Sequence, residues 1–209
     1  MITFKNKLVE IIVNSVIVVI TIACAIIGCI QYSAQYGNCG MFFVYFTHLS
    51  NIFMGITSLL ILIMSLKKED IPAWLALLRW ISIVCVLIVF LVVFVILNPV
   101  VWIEGGTFYS LYTGTNFWFH LINPILGVIL YYTNEKMTLK KIDILYSLIP
   151  FAAYSIFYII FVLICKNKDI YGLTRGYSIV WSVINFFIMY GFSLGISALA
   201  YKIKNKKTK

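Results

Sequence analysis

Six long apolar runs, roughly residues 8–31, 41–66, 73–97, 113–133, 142–165 and 177–201, leave this chain few folds to choose from. Each is long enough to cross about 30 Å of hydrocarbon as a helix. A segment in lipid must satisfy its own backbone N–H and C=O groups, which only helices and closed barrels achieve. Barrel strands would be about ten residues long with alternating polarity, and these runs are neither. The expectation is an all-α membrane protein: a single six-helix transmembrane domain over residues 1–209, with both termini cytoplasmic.

Composition agrees. The chain is 63% hydrophobic and 11% charged, with a mean hydropathy of +1.02. Soluble domains carry about 25% charged residues, so no separate soluble domain is expected. A net charge of +9 could point to nucleic acid, but the basic residues flank the apolar runs or lie in a C-terminal tail. There they meet head groups and set orientation, which excludes a nucleic-acid partner. With the N-terminus inside, 13 of the 16 basic residues fall on the inner side, leaving Lys166, Lys168 and Arg175 outside. The first run follows Lys5 and Lys7 like a signal peptide, but it is too long and lacks a cleavage site, so it reads as a retained helix. Abundant Lys, Ile and Asn suggest an AT-rich microbe and hence a plasma membrane.

Most isolated features have structural readings. The five cysteines show no CxxC or zinc spacing, so neither a disulfide framework nor a metal site is expected. Glu10 and Arg79 start their spans, where they can snorkel to the interface. Pro124 and Pro150 are expected to kink their helices. Gly191 and Gly195 form a GxxxG suited to close helix packing. Glu104-Gly105-Gly106 reads as an outer turn.

Two stretches resist that treatment. Tyr45-Phe46-Thr47-His48-Leu49-Ser50-Asn51 places two hydroxyls, an imidazole and an amide near the start of span two. Phe117-Trp118-Phe119-His120-Leu121-Ile122-Asn123-Pro124 opens span four. Unpartnered polar groups in a span cost several kcal/mol each. Thr47, His120 and, in span six, Asn185 all fall about 9–12 Å below the expected outer boundary at 1.5 Å per residue. Adjacent helical residues point about 100° apart, so Thr47 cannot pair with His48, and His120 is the remaining imidazole. A hydroxyl beside a neutral histidine is the minimum device for nucleophilic acyl transfer. Asn51, Asn185 and Asn123 are candidate donors to the oxyanion, and the sequence leaves them unranked. Against this, an intramembrane Thr often bonds its own helix carbonyl, and a His often glues helices.

The segment Tyr45-Phe46-Thr47 with Leu49-Ser50-Asn51, together with His120-x-x-x-Pro124 opening span four of six, resembles the androgen-induced-protein family. Those six-pass membrane proteins include threonine hydrolases of fatty acid esters of hydroxy fatty acids, and bacteria carry shorter relatives. The resemblance implies that Thr47 is the nucleophile and His120 its base, with Asn185 a further family position. The chain departs from the bacterial pattern before span six. Asp169-Ile170-Tyr171-Gly172-Leu173-Thr174-Arg175 stands there in place of a Tyr/Pro/Phe-rich stretch, which bears on substrate scope.

The resulting expectation is a membrane-embedded lipid-ester hydrolase that needs no cofactor. Its partners would be membrane lipids or lipid esters. The alternatives are a small transporter or lipid-binding protein, and a noncatalytic scaffold.

Overall fold

A computed structural model describes residues 2–103, 105–167, 169–171 and 178–208. Its helices are α1 (Lys7–Tyr36), α2 (Phe46–Lys67), α3 (Ala73–Ile103), α4 (Thr115–Phe117, Trp118–Ile122 and Asn123–Thr133), α5 (Asp143–Ile164) and α6 (Ile179–Thr208). Five of these, all but α4, are long and apolar enough to cross a membrane. Asn116, His120, Asn123 and Pro124 dilute the fourth. Among the described residues the only strands are β1 (Thr3–Phe4) and β2 (Glu135–Lys136), a short antiparallel pair. Glu104, Lys168 and Gly172–Arg175, on which several sequence expectations fall, lie outside the described residues.

The buried stripe of α1 explains how the bundle is built. Glu10, Asn14, Ile17, Thr21, Cys24 and Gly28 recur at helical spacing and face inward. Leu8, Ile12, Val19, Ile22 and Ile30 face outward. Small and polar residues inside with large aliphatic ones outside is the arrangement expected where lipid is the solvent. Asn6 caps α1 by accepting from the Leu8 and Val9 N–H groups, and Gly37 ends it at φ 77°. At Gly55 of α2, an added Cβ would lie 2.6 Å from Thr21 Cγ2, so this glycine sets how closely α1 and α2 approach.

Three helices contain a π-turn, in which an N–H reaches back five residues. Asn98 N–H bonds Val93 O, Asn123 N–H bonds Trp118 O and Cys165 N–H bonds Ile160 O. The first two turns each precede an Asn-Pro pair, because proline has no N–H with which to continue the ladder. Pro124 therefore follows a π-turn, and Pro150 stands in the first turn of the segment Ile149–Ile159 after a break in α5.

One end of the bundle gathers the chain termini and two loops. Ile2 bridges Ile71, Thr3 pairs with Lys136, and Lys5 N–H bonds Asn134 O at 2.9 Å. Asn205 near the C-terminus bonds Leu139 O at 3.2 Å. The opposite end holds residues 37–45, 165–167 and 169–171, where Tyr45 and Tyr171 rings lie 6.1 Å apart.

The structure corrects three expectations. Glu10 and Arg79 do not snorkel, since both are 0% exposed. Arg79 instead donates from Nη2 and Nε to Glu135 Oε1 at 2.8 and 3.0 Å and from Nη1 to Ser58 Oγ at 2.8 Å. Lys204 is buried with it, donating to the Tyr131 and Glu135 carbonyls. A buried guanidinium needs a carboxylate, and Glu135 meets it from the short strand at the end of α4. Among the described residues Gly191 and Gly195 pack against nothing within 4 Å, so the GxxxG face points away from them. The buried face of α6 carries Ser193 and Ser197 instead, with Ser197 Oγ 2.6 Å from Ser147 Oγ. Finally, α2 begins at Phe46 because Cys39–Val44 forms a separate 3-10 turn, whose leading Asn38 side chain accepts from Gly40 N–H. Thr47 thus lies in the first turn of its helix and not six residues past its start.

Candidate functional site

Five free cysteines and no cluster of metal-type ligands among the described residues leave Thr47 and the two histidines as the groups to place. Thr47 is 8% exposed and lines a cavity of about 240 Å³. Its walls come from α3, α5 and α6, through Val89, Val93, Ile96, Ile159 and Met189 among others. A second cavity of about 450 Å³ shares Phe46 and Tyr154 with the first and is walled also by Leu49, Phe53, Cys85 and Phe157. Both are almost wholly apolar.

The polar residues lining the first cavity divide sharply. Ser155 Oγ donates to Phe151 O at 2.8 Å and Ser182 Oγ to Ser178 O at 2.8 Å, each satisfied four residues back along its own helix. Tyr154 OH donates to Val44 O and Tyr158 OH to Asp169 Oδ1. The Thr47 hydroxyl, by contrast, makes no hydrogen bond among the described residues. Ser50, one turn on, bonds Phe46 O at 2.6 Å, whereas Thr47 sits so near the start of α2 that the residue four back, Phe43, belongs to the preceding 3-10 turn. Asn185 lines the same cavity from α6.

Beneath Thr47 an amide network joins three helices. Asn51 Nδ2 donates to Thr47 O at 2.8 Å and to Phe119 O at 3.0 Å. Asn123 Nδ2 donates to Asn51 Oδ1 at 3.2 Å and to Thr21 Oγ1 at 3.1 Å. The link to Phe119 follows from the π-turn. In a regular helix Phe119 O would accept from Asn123 N–H, but that group has gone to Trp118 O, and Pro124 has no N–H to replace it. Asn51 fills the vacancy. One amide group therefore holds the backbone at Thr47 level with the residue preceding His120.

His120 is 8% exposed, and its Nδ1 lies 2.7 Å from Leu111 O. A carbonyl only accepts, so Nδ1 carries the hydrogen and Nε2 keeps its lone pair. Nε2 has no partner among the described residues and is not sealed off by packing. Thr47 and His120 are not hydrogen-bonded to each other, and His120 does not line the cavity that Thr47 lines. His48 occupies a different environment. Its Nδ1 lies 2.6 Å from Phe42 O and its ring stacks on Phe42 at 4.1 Å, a structural role.

Of the four residues expected from sequence, Thr47 and Asn185 share a cavity, while Asn51 ties the Thr47 segment to the His120 segment. Sequence reading missed Tyr171, whose phenol oxygen accepts the Phe46 N–H at 3.1 Å at the head of α2. A tyrosine in a loop gives no periodic signal, so nothing in the chain marked it.

Comparison with family models, with curated proteins and with solved structures returns no match.

Proposed function

We propose that this chain is a membrane-embedded lipid-ester hydrolase with Thr47 as nucleophile and His120 as general base, of the kind the androgen-induced-protein family contains. In this reading it spans a plasma membrane six times with both termini inside. The observation that carries it is the Thr47 hydroxyl: buried, unpartnered, and open to an apolar cavity. Two apolar cavities that share Phe46 and Tyr154 suit the two hydrocarbon arms of an ester, and such an ester partitions from water into the bilayer by about 0.8 kcal/mol per CH₂, so it reaches the site laterally.

In the reaction, Thr47 Oγ bonds to the acyl carbon while its proton passes to His120 Nε2. Collapse breaks the ester C–O bond, and His120 returns the proton to the departing alcohol. Water then repeats the sequence on the acyl-threonine and releases the acid. His120 approaches Thr47 once substrate fills the site, since catalytic hydrogen bonds are often long in empty enzymes. The test is turnover of a lipid-ester series by Thr47→Ala and His120→Ala. Each should lose about 10³-fold or more, since nucleophile and base act as a unit. Wild-type turnover in either variant removes the proposal.

A second reading, a small transporter, draws on the buried Arg79, Glu135 and Lys204, because intramembrane charges often line pathways. Vesicle flux that persists in Thr47→Ala, with no hydrolysis by the wild type, would favour it.

A further inference from the structure

Acyl transfer needs donors for the oxygen that becomes negative, and two of the three amides expected from sequence are already committed. Asn51 spends both Nδ2 hydrogens on Thr47 O and Phe119 O, and Asn123 spends both on Thr21 and Asn51. Neither can turn to a substrate without breaking the network beneath the site.

The head of α2 offers donors that are not committed. The first N–H groups of any helix lack intrahelical partners. Here His48 and Leu49 N–H both reach Tyr45 O, at 3.1 and 3.2 Å, and Phe46 N–H reaches the Tyr171 phenol. No side chain caps this terminus, and Thr47 N–H has no acceptor among the described residues. The helix dipole adds partial positive charge at the same place. A second, independent observation points to a ligand: the Thr47 hydroxyl, nine-tenths buried and unpartnered, faces the same cavity as Tyr171.

Tyr171 is built in firmly. Its N–H donates to Tyr158 OH at 2.9 Å, and Tyr158 donates in turn to Asp169 Oδ1 at 2.6 Å. Its oxygen takes the Phe46 N–H and lies beside the Tyr154 phenol, whose own hydrogen goes to Val44 O, so the Tyr171 O–H is the group it can turn from that neighbour to a ligand. Burial pushes the phenol up to about 12, so it stays protonated across the neutral range.

We infer that Thr47 N–H and Tyr171 O–H form the oxyanion hole of this site. The inference rests on the hydrolase reading. When Thr47 Oγ attacks the ester carbonyl, the C=O π pair moves onto oxygen, which accepts hydrogen bonds from both donors. Tyr171 keeps its proton throughout. When the tetrahedral species collapses, the pair returns to the C=O bond as the alcohol leaves. Holding the oxygen at the positive end of α2 also orients the carbonyl carbon toward Thr47 Oγ.

Tyr171→Phe in the full-length protein tests it, with folding checked by gel filtration and thermal unfolding in detergent. We expect kcat to fall about 100-fold while KM holds, as when one oxyanion donor is removed. A lipid trifluoromethyl ketone, which forms a tetrahedral adduct, should lose potency in step. The matching secondary alcohol, which forms none, should bind as before. If Tyr171→Phe fails to fold, Tyr158→Phe decides, because it releases Tyr171 without touching Phe46; the same selective loss is expected. Unchanged kcat in the folded phenylalanine variant, or equal loss of ketone and alcohol binding, overturns the inference. Full activity in Thr47→Ala would instead overturn the hydrolase reading on which it stands.

Discussion

At the scale of single residues, the decisive side chain is one with no chemistry of its own. Asn51 satisfies two carbonyls and receives a third partner, Asn123. Replacing it with leucine keeps the volume similar but orphans Phe119 O and one Asn123 donor, while Thr47 O keeps the backbone N–H of residue 51. Each unsatisfied buried group costs about 1–3 kcal/mol, partly recovered as neighbours relax, so Asn51→Leu should lose roughly 2–4 kcal/mol. Denaturant unfolding in detergent measures it, and a wild-type midpoint would show that the bridge is incidental. Thr47 and His120 were legible in the sequence because polar groups stand out in an apolar run. Glu135 was not, since it falls in a loop where a carboxylate is unremarkable. Arg79 was visible, but its partner lies 56 positions away, and only the fold shows that it is paired instead of solvated.

At the scale of helices, the length of the apolar runs located every long segment, while the ends moved for local reasons. α3 runs on to Ile103 because a π-turn accommodates Asn98-Pro99, where the apolar pattern alone stops near residue 97. Motif reading failed at the glycines, because GxxxG says that a face is smooth but not what meets it. Gly55, outside any such motif, is where α1 and α2 come closest, against Thr21. Gly55→Ala should push these helices apart. Thr21 is β-branched and stiff at χ1, so the cost is about 1–3 kcal/mol. Gly191→Ala meets nothing within 4 Å and should be neutral or slightly stabilising, since alanine is the better helix former. Thermal midpoints of the two variants in detergent give the comparison, and equal loss in both would mean that α6 packs on a neighbour.

At the scale of the whole molecule, charge and connectivity bear on the same topology. The termini and the loops near Ile71 and Asn134 are hydrogen-bonded together at one end, and Lys5, Lys67, Lys136 and Lys140 cluster with them. An end rich in lysine belongs on the cytoplasmic side. In the proposed topology both termini lie there, the number of crossings is even, and α4 crosses with the five more apolar helices. Its polar residues are tolerated because Asn123 and His120 are paired inside the bundle. The native cysteines make this testable without added reporters on the outer side. Cys39 and Cys165 are exposed at the end opposite the termini, whereas Cys24 and Cys85 are buried. In intact cells a membrane-impermeant maleimide should label the wild type, and Cys39→Ser with Cys165→Ser should remove that labelling. Lys68→Cys placed on that double-serine background lies in the exposed turn after α2, so it should react only once the membrane is opened. Labelling of Lys68→Cys in intact cells, with Cys39 silent until permeabilisation, would invert the protein in its membrane and put the Thr47 cavity near the cytoplasmic face.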